Sequence, residues 1–405
     1  MHRSGAKLED QVVVLTGASS GIGLVTARQA AERGAHLVLC SRDDDALQQL
    51  AQEINDNGGT AVAASADVAD QQALRAVADA AIREFGRIDT WINNAGVSIY
   101  GRLEEVAPSD HRRLFETNFW GVVNGSLLAA EFMRPRGGVI INVGSVLSDL
   151  SIPMQGMYCA SKHAVKGFTD AFRMELEEQG TPIAVCLIKP SAIDTPYTTH
   201  ARNYMRVKPQ NPMPVYDPAL VAHAILHCAV HPKREVVIGG GGRAMTAAAH
   251  WLPRLTDLIM ERLMVTGQQT DEPEDHVFGS LHEPDENLQE RGEYDGRVHA
   301  RSLYTTARMH PVSTTAAALA ATAAAAAGAW LTREWLHSPR SRRGGSRRRS
   351  SANGAPAKHG AAASMTDSHN GRSRRHRAGT QRRAGRGAAR RRGRARSPGA
   401  RATNA

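Results

Sequence analysis

The tightest constraint on this chain lies close to its start. Residues 11–15 form an apolar run, Thr16-Gly17-Ala18-Ser19-Ser20-Gly21-Ile22-Gly23 follows directly, and a helical pattern then continues to about Arg33, with Gly34 as its stop. A strand that turns through glycines into a helix leaves backbone N–H groups unpaired at the helix start. The same glycines let a bulky anion approach the backbone closely. Strand, glycine-rich turn and helix in that order predict the opening unit of an α/β fold able to hold a dinucleotide.

The alternation continues through the next two hundred residues. Strand patterns at 36–40, 60–64, 88–92, 138–143, 183–188 and 235–238 are separated by helical patterns at 43–56, 71–85, 110–133, 157–178 and 218–229, and Gly239 to Gly242 break the series. Right-handed crossovers between such strands predict a doubly wound parallel sheet, a Rossmann fold, with helices on both faces. Ligands of such sheets bind at the carboxyl ends of the strands, so the residues there are the candidate site.

Each strand end offers particular chemistry. After residues 36–40 come Ser41 and Arg42, where an acid would hold the ribose 2′-hydroxyl of NAD; a hydroxyl beside a guanidinium suits a 2′-phosphate and favours NADP(H). Asp67 and Val68 are placed to contact an adenine edge, and Asn93-Asn94-Ala95-Gly96 forms a small turn able to bracket a ribose. Asn118, inside the long helical stretch, is either a group that fills a kink or the holder of a proton-relay water. Ser145 follows the strand at 138–143, where its hydroxyl can donate to a carbonyl oxygen gaining charge. Tyr158 and Lys162, four apart on a helix, share a face, and an adjacent ammonium favours the phenolate. The tyrosine becomes a plausible proton donor and acceptor. Residues 196–216 carry several prolines and aromatics after a strand's carboxyl end and form a candidate substrate lid.

Together these residues resemble the short-chain dehydrogenase/reductase family. Thr16-Gly17-x-x-x-Gly21-Ile22-Gly23, Asp67, Asn93-Asn94-Ala95-Gly96, Asn118, Ser145, Tyr158-x-x-x-Lys162 and Pro190 to Thr195 stand in the family's order, and the resemblance covers about residues 8–242. It implies that Tyr158 is the acid/base, that Lys162 lowers its pKa and binds the nicotinamide ribose, that Ser145 orients the substrate oxygen and that Asn118 holds the relay water. It implies NADP(H) binding through Thr16, Gly17, Ser19, Ser20, Gly21, Ile22, Gly23, Ser41, Arg42, Asp67, Val68, Asn94, Ala95, Gly96, Tyr158, Lys162, Pro190 and Thr195. Ser191 departs from the family, which usually has glycine after Pro190. No metal site is expected. It implies a small carbonyl compound or alcohol as substrate, and Leu147, Met154 and the lid point to an apolar pocket. A homodimer or homotetramer is expected from the resemblance. The competing reading is a cofactor-bound scaffold or sensor that acts through the basic tail.

The carboxyl-terminal third divides by composition. Residues 1–242 form the expected catalytic domain, with the lid at about 191–217. Residues 243–311 are an extension: apolar positions at helical spacing in 244–265 predict an amphipathic helix, and 268–311 an irregular strap against the body. Residues 312–337 read as an alanine-rich helix and a candidate membrane contact, since 312–332 are uncharged. From Ser338 onward the chain holds 20 of its 50 Lys and Arg but only one of its 40 acids, so this tail is +19 and the remainder −9. Without aromatic residues the tail predicts disorder and nonspecific contact with polyanions or membrane rather than sequence-specific binding. Four dispersed cysteines and the absence of a secretory pattern at residues 1–11 predict reduced thiols and a cytoplasmic location.

Overall fold

The computed structural model describes residues 7–274, 279–284 and 288–337; the predicted disordered tail, 338–405, lies outside them. Seven strands run in parallel through its centre: β1 (Val12–Thr16), β2 (His36–Cys40), β3 (Thr60–Ala63), β4 (Thr90–Asn93), β5 (Gly138–Val143), β6 (Ile183–Pro190) and β7 (Glu235–Ile238). Their spatial order is 3-2-1-4-5-6-7, which reverses between β1 and β4. The strand ends flanking that reversal are where an open α/β sheet leaves a crevice.

The helices that cover this sheet are α1 (Gly21–Ala31), α2 (Asp44–Asp56), α3 (Gln71–Phe85), α4 (Pro108–Phe115), α5 (Gly121–Met133), α6 (Gly156–Glu178) and α7 (Pro218–Val230). Alternate residues of a strand face opposite sides. Val13 and Leu15 pack with Leu24, Leu47, Leu50 and Ile225 of α1, α2 and α7. Val12 and Val14 pack with Leu74, Val77, Met133 and Phe172 of α3, α5 and α6. Each such leucine, fully withdrawn from water, stabilises the fold by about 2 kcal/mol before entropy is counted. Local signals set the ends: the Asp70 side chain accepts from the Gln72 and Ala73 amides to start α3, and Gly86 ends it at φ +73°.

Two predicted helices are altered, each for a visible reason. The stretch predicted at 110–133 starts at Pro108 and passes through a π-helical turn, Glu116–Trp120, between α4 and α5. Within that turn Asn118 Oδ1 accepts the Val97 N–H at 2.8 Å and Nδ2 donates to the Val97 carbonyl at 2.9 Å, so the extra residue coincides with a side chain anchored to a neighbouring loop. The single helix predicted at 244–265 is instead α8 (Gly240–Trp251) and α9 (Pro253–Ile259), followed by a π-helical turn, Met260–Met264. Pro253 lacks the N–H to continue a helix, and Leu252 before it is held at φ −134°. The expected glycine break shrinks to Gly239, at φ +98°, because Gly240 already opens α8.

The strap predicted at 268–311 returns over the body. Gln269–Pro273 pairs antiparallel with Val207–Pro209 of the lid, and Val298–His299 pairs with Val215–Tyr216. It ends in α10 (Leu303–Met309), whose Met309 joins the core, and leads to α11 (Pro311–His337), the predicted alanine-rich helix. Among the described residues no single helix is long and apolar enough to cross a membrane, although α10 and residues 314–330, bent by 119°, pass that test as a pair. All four cysteines are buried and free.

Candidate active site

Tyr158 and Lys162 sit on the first two turns of α6, beside the end of β5. Lys162 is buried; its Nζ donates to the Val143 carbonyl at 3.0 Å and lies 5.7 Å from the centre of the Tyr158 ring. Burial disfavours the ammonium and brings the Lys162 pKa down to about 8. Burial also pushes the Tyr158 phenol up to about 12, against hydrogen bonds with Tyr197 and Ser145 that favour its ionised form. Ser145 starts a short 3₁₀ turn: its Oγ accepts the Leu147 N–H at 3.1 Å, which leaves its own hydrogen to donate.

These side chains open onto one cavity of about 310 Å³ that runs from Ser41 and Arg42, past the glycine-rich turn and Tyr158, to Met213 and Met264. Of the predicted residues, Gly17, Ser19, Ser20, Gly21, Ile22, Ser41, Arg42, Asp67, Val68, Asn94, Ala95, Gly96, Ser145, Tyr158, Lys162, Pro190 and Thr195 line it. The remaining three stand behind its wall. Thr16 Oγ1 accepts the Asn94 and Ala95 amides at 3.0 and 3.1 Å, tying β1 to the turn after β4. A Cβ on Gly23 would come 1.8 Å from the Gly17 carbonyl, so the helix and the turn touch here. Asn118 spends its side chain on Val97 and on Ser161 Oγ, 3.3 Å away, which favours the kink-filling reading. The turn has the small residues and close backbone approach that a dinucleotide needs: Gly21 is at φ +52°, and a Cβ there would stand 3.1 Å from Thr195.

The other end of the cavity differs from the expectation for Arg42. Its guanidinium donates to the carbonyls of Leu281, His282 and Glu283 at 3.2, 3.1 and 3.3 Å, and to that of Ser280. Asp67 is paired with Arg113 at 2.5 Å, and Arg113 Nε donates to Leu281 as well. Burial and the nearby Arg113 charge lower the Arg42 pKa.

Sequence reasoning missed several lining groups. Asp43, read only as the start of α2, caps it through Oδ1 and the Ala46 amide at 3.0 Å, while its buried Oδ2 has no partner among the described residues. It was legible as an acid two residues beyond Ser41. Tyr197 and Gln155, hydrogen-bonded at 2.8 Å beside Tyr158, carried no motif. Met154, expected in the pocket, packs behind it with Tyr100 and Met205 at φ +67°. Ser191 is accommodated because its hydroxyl donates to the Ile238 carbonyl at 2.8 Å, into space that a Cβ on Gly239 would fill at 2.3 Å. The lid contributes Ile193, Tyr197, His200 and residues 211–214 to the lining.

A family model described as short chain dehydrogenase matches residues 11–205. The uncharacterized oxidoreductase YxnA of Bacillus subtilis is 42% identical over 314 residues, covering 76% of this chain and 88% of that protein. A span of that share necessarily takes in residues 100–300, so the likeness continues through the strap. Among solved structures, a short chain dehydrogenase/reductase from Burkholderia phymatum in complex with NAD superposes with a TM-score of 0.53 at 26% identity, covering 66% of this chain and 99% of that one. An alcohol dehydrogenase from Thermococcus sibiricus complexed with 5-hydroxy-NADP gives 0.50 at 25% identity, covering 57% and 96%.

Proposed function

The chain belongs to the short-chain dehydrogenase family, oxidoreductases that use nicotinamide cofactors, and on that footing we propose that it interconverts a lipophilic ketone or aldehyde with its alcohol, using NADP(H). The observation that carries this reading is the grouping of Ser145, Tyr158 and Lys162 on a cavity that joins the glycine-rich turn to an apolar mouth of Leu147, Leu150, Ile152, Met213, Met245 and Met264. When bound, the cofactor supplies or accepts the hydride at the carbonyl carbon.

The protein's part is proton transfer and positioning. Tyr158 gives its hydroxyl proton to the carbonyl oxygen in reduction and takes it back in oxidation. The resulting phenolate is stabilised by the Lys162 ammonium, and the Ser145 hydroxyl donates to the same carbonyl oxygen as it gains charge. Asn118 acts as a positioning residue. By holding Val97 it fixes the turn at Gly96, whose missing Cβ would lie 3.4 Å from Asn118 Oδ1 and 3.7 Å from Lys162 Nζ.

The preference for NADP(H) rests on the positive charge of Arg42 and on Ser41 at the cavity edge after β2, not on a free guanidinium fork, since Arg42 already donates to the carbonyls of residues 280–283. One observation favours the alternative, NAD(H): the unpartnered Asp43 carboxylate oxygen in the same corner would accept from a ribose hydroxyl and repel a phosphate. Oxidation of NADPH and NADH by the full chain, against a panel of apolar ketones and aldehydes, tests both points. Turnover with NADPH at higher kcat/KM than with NADH is expected. A reversed ratio would assign the Asp43 reading, and cofactor binding without turnover on any carbonyl compound would reject the proposed reaction.

A further inference from the structure

The cofactor cleft has a wall that the seven-stranded core does not supply. Of the extension, Ser280 and Pro284 line the cavity together with Ser41, Arg42 and Asp67, and residues 288–292 reach the glycine-rich turn at the start of α1. Both stretches are fastened to the rim. Arg42 holds the carbonyls of Ser280 to Glu283, and Arg113 adds a bond to Leu281, whose side chain is fully buried against Ile99, Val106 and Leu114. His282 Nε2 meets Asp110 Oδ1 at 2.9 Å.

The second stretch is tied to α1 itself. The Gly21 N–H donates to the Gln289 carbonyl at 2.8 Å, and Arg28 Nη1 bonds Glu290 at 2.7 Å. A carbonyl oxygen at the first turn of α1 is stabilised by the helix dipole that would also attract a pyrophosphate. The fastenings thus stand at the β2 end and at the α1 end of the glycine-rich turn, and Ser280 and Pro284 are the extension's residues on the cavity. Ser280 faces this space with a buried hydroxyl that has no partner among the described residues.

We propose that residues 279–284 and 288–292 form a clasp over the adenosine half of the bound cofactor, with Ser280 as its cofactor-contacting residue, so that the nucleotide leaves only when the clasp opens. The inference rests on the cleft being a nicotinamide-dinucleotide site. Cofactor would then be retained through contacts from a part of the chain outside residues 11–205, where the family match lies.

Three measurements on the full chain test it. In amide hydrogen exchange with and without NADPH, bound cofactor should slow exchange in peptides spanning 279–292. In stopped-flow release of NADPH, Glu290→Lys, which places a cation against Arg28 without altering any residue that lines the cavity, should speed release about fivefold or more; Arg28→Gln is the companion variant. Ser280→Ala should weaken NADPH binding several-fold while leaving the Glu290→Lys effect intact. Exchange that is unchanged or faster with NADPH bound, or wild-type release in both rim variants, would overturn the clasp. Failure to bind either NADPH or NADH would reject the dinucleotide site itself, and the clasp with it.

Discussion

The two ends of the cavity are built on different principles. At the proposed catalytic end, Ser145 caps the turn that follows β5, Tyr158 and Lys162 stand on α6, and each is oriented by a backbone contact or a helical turn. At the adenosine end, Arg42 and Arg113 bind main-chain carbonyls of a segment more than 160 residues away in sequence. The proposed chemistry, which tolerates little misplacement, stands on rigid elements, whereas the proposed clasp is an irregular strand of chain.

Disturbing the catalytic end should cost most. Lys162→Met is expected to lower kcat by about a hundredfold or more in steady-state assays, because the phenolate loses its counter-charge. The same variant should be more stable at pH 7, by up to about 3 kcal/mol in urea unfolding, since a buried ammonium with its pKa brought down to about 8 is a cost that methionine removes. Loss of both activity and stability would contradict that account of Lys162.

The pH dependence carries the same sign. Below about 8 Lys162 is protonated in folded and unfolded chains alike, and its burial cost is fully present; between 8 and the unfolded value of 10.5 the folded protein gives up the proton first, so stability from this group rises with pH. Reduction should do the opposite. Tyr158 keeps its proton up to about 12, so kcat/KM should be flat below pH 8 and fall by about tenfold per unit above it, as Lys162 loses its charge. A profile flat to pH 10 would separate Lys162 from the proton transfer.

Smaller effects belong to the walls. Gly23→Ala forces a Cβ against the Gly17 carbonyl, and a destabilisation of about 1–3 kcal/mol with weaker binding of both cofactors is expected by thermal unfolding and titration. Asp43→Asn keeps an oxygen for the α2 cap but removes the charge, and should raise the NADPH-to-NADH ratio of kcat/KM by several-fold. An unchanged ratio would place Asp43 outside cofactor selection.

What could be read from sequence follows the same division. The core was legible because its signals are local: the helical period at 71–85 recurs as α3, and the apolar runs at 36–40 and 138–143 recur as β2 and β5. Tyr158, Lys162 and Ser145 were legible because strand ends and helical spacing put them together. The bonds from Arg42 and Arg113 were not, since their acceptors are backbone carbonyls, and a carbonyl leaves no trace in the identity of its residue. Asn118 was ambiguous for a related reason: its partner is the backbone of Val97.

In the proposed reaction Tyr158 transfers the proton at a site whose cofactor binding does not depend on it. The most direct test is single-turnover oxidation of bound NADPH by an apolar ketone, followed by absorbance in the wild type and in Tyr158→Phe, with NADPH affinity measured on both. A loss of about a thousandfold in the single-turnover rate, with affinity changed less than threefold, is expected. Undiminished turnover in Tyr158→Phe would contradict it.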